Sequence, residues 1–111
     1  MKRDEVYFQH ILDAIDRIIA YTEDGKAAFL KNSMMQDAVI RNLEVIGEAT
    51  KALSKEIRRQ HQNIPWDDLA GMRDVLIHHY MGVNLEIVWD VSQTKLKDLR
   101  SQIQSLREPP D

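Results

Sequence analysis

Apolar residues recur every three or four positions through almost the whole chain, and this spacing limits the fold more than any other feature. It is the spacing of a helix with one buried face, and no segment alternates with the two-residue period of a half-buried strand. The three stripes are Phe8, Ile11, Leu12, Ile15, Ile18 and Ile19; Val39, Leu43, Ile46, Thr50, Leu53 and Ile57; and Leu85, Val88, Leu96, Leu99, Ile103 and Leu106. The sequence therefore predicts an all-α protein.

Polar residues between the stripes place the helix ends in the first half of the chain. A first helix should run from about residue 4 to 21 and break at 22–25, before one or two helical turns at 26–31. Ser33 and Gln36 have the spacing of a capping box, with the serine first and the glutamine three residues later. This pair predicts a long helix that continues to about residue 60.

The second half of the chain adds two more helices. Pro65 suits a first helical position, so a fourth helix should extend to His79 and end before Gly82. Asn84 can cap the final helix, because its short side chain accepts hydrogen bonds from the first turn. Together these segments predict an antiparallel four-helix bundle with an additional short helix.

Some glycines and apolar residues do not fit an isolated bundle. Gly47 and Gly71 lie inside predicted helices, where each costs about 1 kcal/mol relative to alanine and is tolerated best where another backbone approaches. Apolar side chains also lie off the stripes, at Ile40, Ile77, Ile87 and Trp89. We expect a homodimer with a second buried face. The alternative is that both glycines pack against helices of the same chain.

The length and composition limit the class of protein. The 111 residues fit a single domain over residues 1–111, with a disordered tail at about 108–111. No apolar run approaches the roughly 18 residues that span a bilayer, the N-terminus has no apolar signal region, and cysteine is absent. We expect a cytoplasmic protein with no membrane contact.

The overall charge does not favour a general DNA-binding protein, but one local patch is basic. The net charge is −3 and the pI is near 5.8, whereas such proteins are usually basic. The patch comprises Lys51, Lys55, Arg58, Arg59 and His61, with only Glu56 of opposite charge. If the chain binds nucleic acid, this patch is where we expect the phosphates to lie. The alternative is that cations gather at a helix C-terminus because the helix dipole favours them there.

Residues 73–80 carry the groups with the clearest chemistry. Arg73 offers a bidentate fork for phosphate, His78 is suited to moving protons near neutral pH, and Tyr80 supplies a hydroxyl. Such a set points to a phosphodiester or a nucleotide. In RNA the 2′-hydroxyl is an internal nucleophile, so a base, an acid and a cation suffice without a metal. Asp74 could orient the histidine or the arginine.

A single straight helix cannot bring Arg73 and His78 onto one atom. Their five-residue separation turns them about 140° apart, whereas Arg73 and Tyr80 differ by only about 20°. The site therefore needs a bend near His78, a long reach by the arginine, or a second copy across a two-fold axis. The last of these is another reason to expect a dimer.

No ligand spacing in the sequence predicts a metal site. His78 and His79 are adjacent and diverge by about 100° on a helix, so they cannot easily share an ion. Asp67 and Asp68 follow Pro65 in a first helical turn, where the dipole alone favours acids. We predict neither a metal nor a cofactor.

Two longer blocks give residues 73–80 a context. Residues 64–91, IPWDDLAGMRDVLIHHYMGVNLEIVWDV, resemble the HepT family of HEPN-domain toxins, and residues 37–49, DAVIRNLEVIGEA, resemble that family's long helix. The family pattern is arginine, four residues, histidine, any residue and tyrosine, with a polar residue after the arginine. Arg73, His78 and Tyr80 match this pattern. Asp74 fills the polar position, where asparagine is frequent.

The resemblance implies a HEPN-like bundle that dimerises, with both copies of the motif lining one cleft. It implies a metal-independent endoribonuclease toxin that cleaves RNA, with tRNA as a target and with Arg73 and His78 as catalytic residues. It also implies a partner, an MntA-type minimal nucleotidyltransferase antitoxin. That enzyme neutralises toxins of this family by transferring AMP to the motif tyrosine, which is Tyr80 here.

A second hypothesis gives the chain no catalytic role. In it the chain is the helical partner of a minimal nucleotidyltransferase, and its cleft binds a nucleotide or a protein. The acidic pI, the small size of the basic patch and Asp74 favour this hypothesis. The intact set of Arg73, His78 and Tyr80 favours the ribonuclease.

Overall fold

The structure is a computed structural model that describes the backbone of residues 2–78 and 84–107 and the side chains of residues 3–72 and 84–107. Every regular element in these ranges is helical, which confirms the predicted all-α bundle. The elements are α1 (Lys2–Tyr21), α2 (Lys26–Lys31), α3 (Ser33–Ala52), α4 (Lys55–Gln60), α5 (Trp66–His78), α6 (Leu85–Asp90), a π-helical turn (Val91–Lys95) and α7 (Leu96–Leu106).

Helices α1 and α3 form the centre of the bundle, with α7 against α1 and α5 against α3. Contacts between helix ends show that α1 runs antiparallel to both α3 and α7, since Asp4 meets Ser54 beyond α3 and Glu5 meets Arg107 beyond α7. The predicted stripes meet in one core, although Ile19 is 37% exposed instead of buried. The largest fully buried apolar residues are Phe8, Ile11, Ile15, Ile18, Phe29, Val39, Leu43, Ile46, Leu96 and Ile103.

Helix α3 begins differently from the predicted capping box. Asn32 is the N-cap, with an extended backbone at φ −120° and ψ 102°, and its side chain accepts a hydrogen bond of 3.1 Å from the Met35 amide. Ser33 is the first helical residue, and the Gln36 side chain donates instead to the Phe29 carbonyl at 2.9 Å. Asparagine and serine are about equally favourable as N-caps, so N-cap preference alone cannot choose between Asn32 and Ser33.

The predicted long helix to residue 60 is wrong, because α3 ends at Ala52 and the chain restarts as α4. Ser54 is extended at φ −64° and ψ 151°, and its hydroxyl caps α4 by accepting a bond from the Ile57 amide. The buried Asp4 carboxylate holds this break from α1. It accepts bonds of 2.9 Å from the Ser54 amide and 2.8 Å from the Ser54 hydroxyl. Hydrogen bonds to a charged group contribute about 1.5–3 kcal/mol each, enough to fix where α3 ends.

The start of α5 is braced by the loop that precedes it. The helix spans Trp66–His78 and so begins one residue after the predicted start at Pro65. The Pro65 carbonyl accepts a hydrogen bond from the Leu69 amide. Trp66 is 6% exposed and its indole N–H donates to the His61 carbonyl at 2.9 Å. The predicted helix end at His79 and stop at Gly82 lie outside the described residues.

The final helix begins at the predicted cap and then departs from regular geometry. Asn84 accepts bonds from the amides of Glu86 and Ile87, which confirms its capping role. The π-helical turn at Val91–Lys95 then separates α6 from α7. Buried Ser92 donates to the Trp89 carbonyl at 2.7 Å. The wider turn lets α6 pack near α2 while α7 packs on α1, because it adds a residue to the local helical repeat.

None of the helices in the described ranges is long and apolar enough to cross a membrane.

Candidate functional site

Helix α5 carries three of the four predicted motif residues. Arg73, Asp74 and His78 lie on its second half, and the five-residue step from Arg73 to His78 spans about 7.5 Å along the helix axis. The side chains of these three residues and the whole of Tyr80 lie outside the described residues. The structure therefore fixes the helix that presents the predicted motif, through buried Leu69 and Trp66 near its start.

An apolar groove lies between α5 on one side and α6 and α7 on the other. Its volume is about 710 Å³. The apolar lining comprises Leu43, Leu69, Gly71, Met72, Ile87, Val88, Val91, Leu96 and Leu99, and the charged or polar lining includes Asp67, Asp68, Lys95, Asp98 and Gln102. Ile87 is 59% exposed here although it is a large apolar side chain. The groove is thus an unfilled apolar face next to the helix that carries the motif.

Gly71 opens onto this apolar groove. A Cβ added there would meet no described atom within 4 Å, so the alternative that Gly71 packs tightly against a helix of its own chain is wrong. Gly47, by contrast, is buried within α3. Among the described residues, nothing packs closely enough against Gly71 to require a glycine there.

The predicted basic patch is divided by the break before α4. Lys55, Arg58 and Arg59 line a second groove, which we call the α4–α5 groove, with a volume of about 760 Å³. Lys51 lies on the last turn of α3, does not line this groove and makes a separate interaction. The remaining lining residues are Gln62, Ile64, Pro65, Trp66, Asp67 and Asp68.

From the sequence, the acidic pair at the start of α5 is expected only because the helix dipole favours acids there. In the structure, Asp67 and Asp68 line both grooves. The signal available in the sequence was their position directly after Pro65 and Trp66, which turn the chain back past the basic residues of α4. Their placement makes the α4–α5 groove cationic on one wall and anionic on the other.

Two surface ion pairs with perturbed pKa values lie away from these grooves. A hydrogen bond to Glu86 raises the pKa of Lys26, with the two charged groups 2.6 Å apart. The Asp16 carboxylate raises the pKa of Arg100 in the same way. Both cations stay charged at neutral pH. These pairs brace α2 against α6 and α1 against α7 and do not supply a proton carrier.

The described residues contain no group of three or more histidine, aspartate or glutamate side chains placed to hold a metal ion.

Comparison with known proteins gives a consistent family. A family model described as "Ribonuclease HepT-like" matches residues 11–106. A Thermococcus cleftensis protein named as a probable ribonuclease HepT is 38% identical over 110 residues, covering 97% of this chain and 100% of that protein. A Caldanaerobacter subterraneus subsp. tengcongensis protein, provisionally named an RNase, is 38% identical over 107 residues, with 96% of each chain covered.

This chain spans only about half the length of another relative. A Methanocaldococcus jannaschii protein, named as a gamma-glutamylcyclotransferase and provisionally as an RNase, is 41% identical over 113 residues. The match covers 100% of this chain but only 51% of that protein. No solved structure gave a significant match.

Proposed function

The chain belongs to the HepT-like ribonuclease family, and we propose that it is a metal-independent endoribonuclease and the toxin of a toxin–antitoxin pair, with tRNA as the expected substrate. The observation that carries this proposal is the family match over residues 11–106 around an intact set of Arg73, His78 and Tyr80. The full-length matches to relatives named as ribonucleases support it.

The proposed reaction uses only protein side chains and the RNA itself. A base removes the proton from the ribose 2′-hydroxyl, the 2′-oxygen forms a bond to phosphorus, and the bond from phosphorus to the 5′-oxygen breaks. An acid gives the leaving 5′-oxygen a proton. Arg73 steadies the negative charge that grows on the phosphate oxygens, and Asp74 orients the arginine or a histidine. His78 supplies one of the two proton transfers.

The other proton transfer is supplied by His78 of a second copy of the chain. Because one helix separates Arg73 from His78 by about 140°, we propose a homodimer in which His78 of each chain completes the other's site. The apolar groove beside α5 supports this arrangement, since Gly71 and the exposed Ile87 line a face that a second copy could bury.

The purified protein should cut RNA in the presence of excess EDTA. It should leave an oligonucleotide intact when every 2′-hydroxyl is replaced by hydrogen, because the internal nucleophile is then missing. Gel analysis of a labelled oligoribonucleotide and its deoxy counterpart measures both effects. Cleavage that stops in EDTA, or that proceeds equally on the deoxy oligonucleotide, would contradict the proposed chemistry.

Tyr80 is the proposed control point of the toxin. An MntA-type nucleotidyltransferase would transfer AMP from ATP to its phenol oxygen, forming a phosphodiester to tyrosine and releasing pyrophosphate. The attached AMP adds negative charge and bulk two residues from His78, where it would occupy the place of an RNA phosphate and engage Arg73.

Tyr80→Phe should keep the toxin active and make it resistant to the antitoxin, because phenylalanine has no hydroxyl to accept AMP. The measurement is growth during co-expression with the nucleotidyltransferase, together with the intact mass of the purified toxin. The matched control is Tyr21→Phe, which removes a hydroxyl from the end of α1 and should remain neutralised. Full neutralisation of Tyr80→Phe with a mass increase of AMP would show that another residue is the acceptor.

A further inference from the structure

The α4–α5 groove holds five charged side chains of both signs that do not pair with one another. Lys55, Arg58 and Arg59 line one wall, and Asp67 and Asp68 line the other. Within the described part of the chain, no nitrogen and oxygen of these walls come within the 4.0 Å that defines an ion pair. The charges of both walls are therefore free to contact a ligand in the groove.

The contacts that brace the two walls are already formed on both sides. On the basic side, Ser54 caps α4 and is itself held by Asp4. On the acidic side, the His61 carbonyl accepts both the Trp66 indole N–H at 2.9 Å and the Ile64 amide at 3.2 Å. Neither wall needs to be rebuilt when a ligand enters, which lowers the entropic cost of binding.

Arg58 also carries a donor without an acceptor. Its Nε is buried and has no hydrogen-bond partner, and the other described polar side-chain atoms that are equally buried all have one. An unsatisfied buried donor on a charged group costs roughly 1–3 kcal/mol or more. An anion in the groove could recover part of this cost by letting the guanidinium turn and donate its fork to two oxygens.

The acidic wall limits which anion fits. A ligand that presented phosphates to both walls, as the two backbones of a duplex do, would be repelled by Asp67 and Asp68. A single strand can place its phosphates on the cationic wall and turn its ribose and base edges to the opposite wall. There the 2′-hydroxyl can donate to a carboxylate, a contact that a deoxyribose cannot make.

We infer that the α4–α5 groove is a second RNA-binding site, which takes a single-stranded segment with its phosphates on Lys55, Arg58 and Arg59 and its ribose hydroxyls on Asp67 and Asp68. This inference rests on the proposed ribonuclease function. The groove lies at the start of α5, about 9 Å along the helix axis from Arg73 when counted from Asp67. A strand bound there would lead on to the motif, so the groove holds and directs substrate without touching the bond that is cut.

The test measures binding separately from cleavage. All proteins carry His78→Ala so that RNA is not consumed, and fluorescence anisotropy follows a labelled oligoribonucleotide and its deoxy counterpart over a series of salt concentrations. The groove variant is Arg58→Ala with Arg59→Ala. The charge-matched control is Arg17→Ala with Lys97→Ala, two exposed cations on α1 and α7 that line no groove.

The groove variant should bind the oligoribonucleotide roughly tenfold or more weakly, while the control changes little. Its salt dependence should also fall. The slope of log affinity against log salt should drop by about 1.4, since each lost phosphate contact on a single strand accounts for about 0.7. Equal affinity and slope in the groove variant and the control would overturn the inference.

The acidic wall is tested by Asp67→Ala with Asp68→Ala. Without the carboxylates, the ratio of the affinity for RNA to the affinity for DNA should fall toward one, because the 2′-hydroxyl loses its acceptor. Repulsion of the phosphates should fall equally for both oligonucleotides. An unchanged preference would overturn the assignment of this wall. Circular dichroism checks that α5 still forms, since acids in its first turn favour the helix by about 0.3–1 kcal/mol.

Competition with ATP separates an RNA site from a site for free nucleotides. ATP at millimolar concentration should displace little of the oligoribonucleotide. Loss of ATP binding in Arg58→Ala with Arg59→Ala, with RNA binding unchanged, would overturn the inference in favour of a nucleotide site.

Cleavage assays on the His78-containing proteins keep the two proposals distinct. If His78→Ala abolishes cleavage and the groove variant cleaves normally, the ribonuclease proposal stands and the groove inference fails.

Discussion

Replacing His78 with alanine is expected to abolish RNA cleavage and growth arrest while the protein stays folded and keeps its oligomeric state. Positioned proton transfer contributes about 10²–10⁴-fold to a rate, and in the proposed dimer this one substitution removes a proton carrier from both copies of the motif. The measurement is induced expression in a bacterial host, with growth curves and gels of extracted small RNA. Wild type should arrest growth and leave cut RNA, and the variant should do neither.

His79→Ala is the matched control for this experiment, because it removes the same side chain one position off the motif. It should cleave RNA and arrest growth like wild type. Arg73→Ala should resemble His78→Ala, since it removes the proposed phosphate contact. If His78→Ala and wild type do not differ in RNA cleavage or growth arrest, and both are soluble and dimeric, the ribonuclease proposal is wrong. The helical partner of a nucleotidyltransferase then becomes the better hypothesis.

The sequence predicted the helices well where their stability comes from burying one face. The α1 stripe apart from Ile19, and most of the stripe on the final helices, lie in the core, because apolar spacing reports burial directly. The break at Leu53 and Ser54 could not be predicted in this way, since the apolar spacing continues through it to Ile57. What ends α3 there is the Asp4 carboxylate, which lies 50 residues away in sequence. A pairing at that distance leaves no local pattern.

The candidate site shows a similar division. The basic residues of α4 are neighbours in sequence, so they were visible as a patch, but the wall of Asp67 and Asp68 opposite them exists only because the loop after α4 turns the chain back. The exclusion of Lys51 from the groove follows from the same break before α4. The roles of Arg73, His78 and Tyr80 were predicted from chemistry and family resemblance and remain predictions.

Placing a charge at Gly71 is expected to dissociate the proposed dimer and abolish cleavage while the monomer remains folded. A Cβ added at Gly71 meets no described atom within 4 Å, so the backbone here accepts a side chain in the monomer. In a dimer joined through the apolar groove, the carboxylate of Gly71→Asp would be buried without a partner. Unpaired buried charges cost several kcal/mol, and about 3–5 kcal/mol corresponds to a loss of roughly 10²- to 4 × 10³-fold in affinity. Light scattering after gel filtration measures the mass, and circular dichroism the fold.

Two variants separate charge at the groove from other effects of the substitution. Ser101→Asp adds the same charge to an exposed position of α7 that lines neither groove, and it should remain dimeric and active. In the monomer, Gly71→Ala adds only a methyl group and should stabilise α5 by about 1 kcal/mol, because alanine favours a helix and its Cβ meets no described atom within 4 Å. If Gly71→Asp stays dimeric and cleaves RNA, the dimer interface does not lie at the apolar groove. A monomer that still cleaves would show that one chain can assemble the whole site, against the 140° separation of Arg73 and His78 expected on a straight helix.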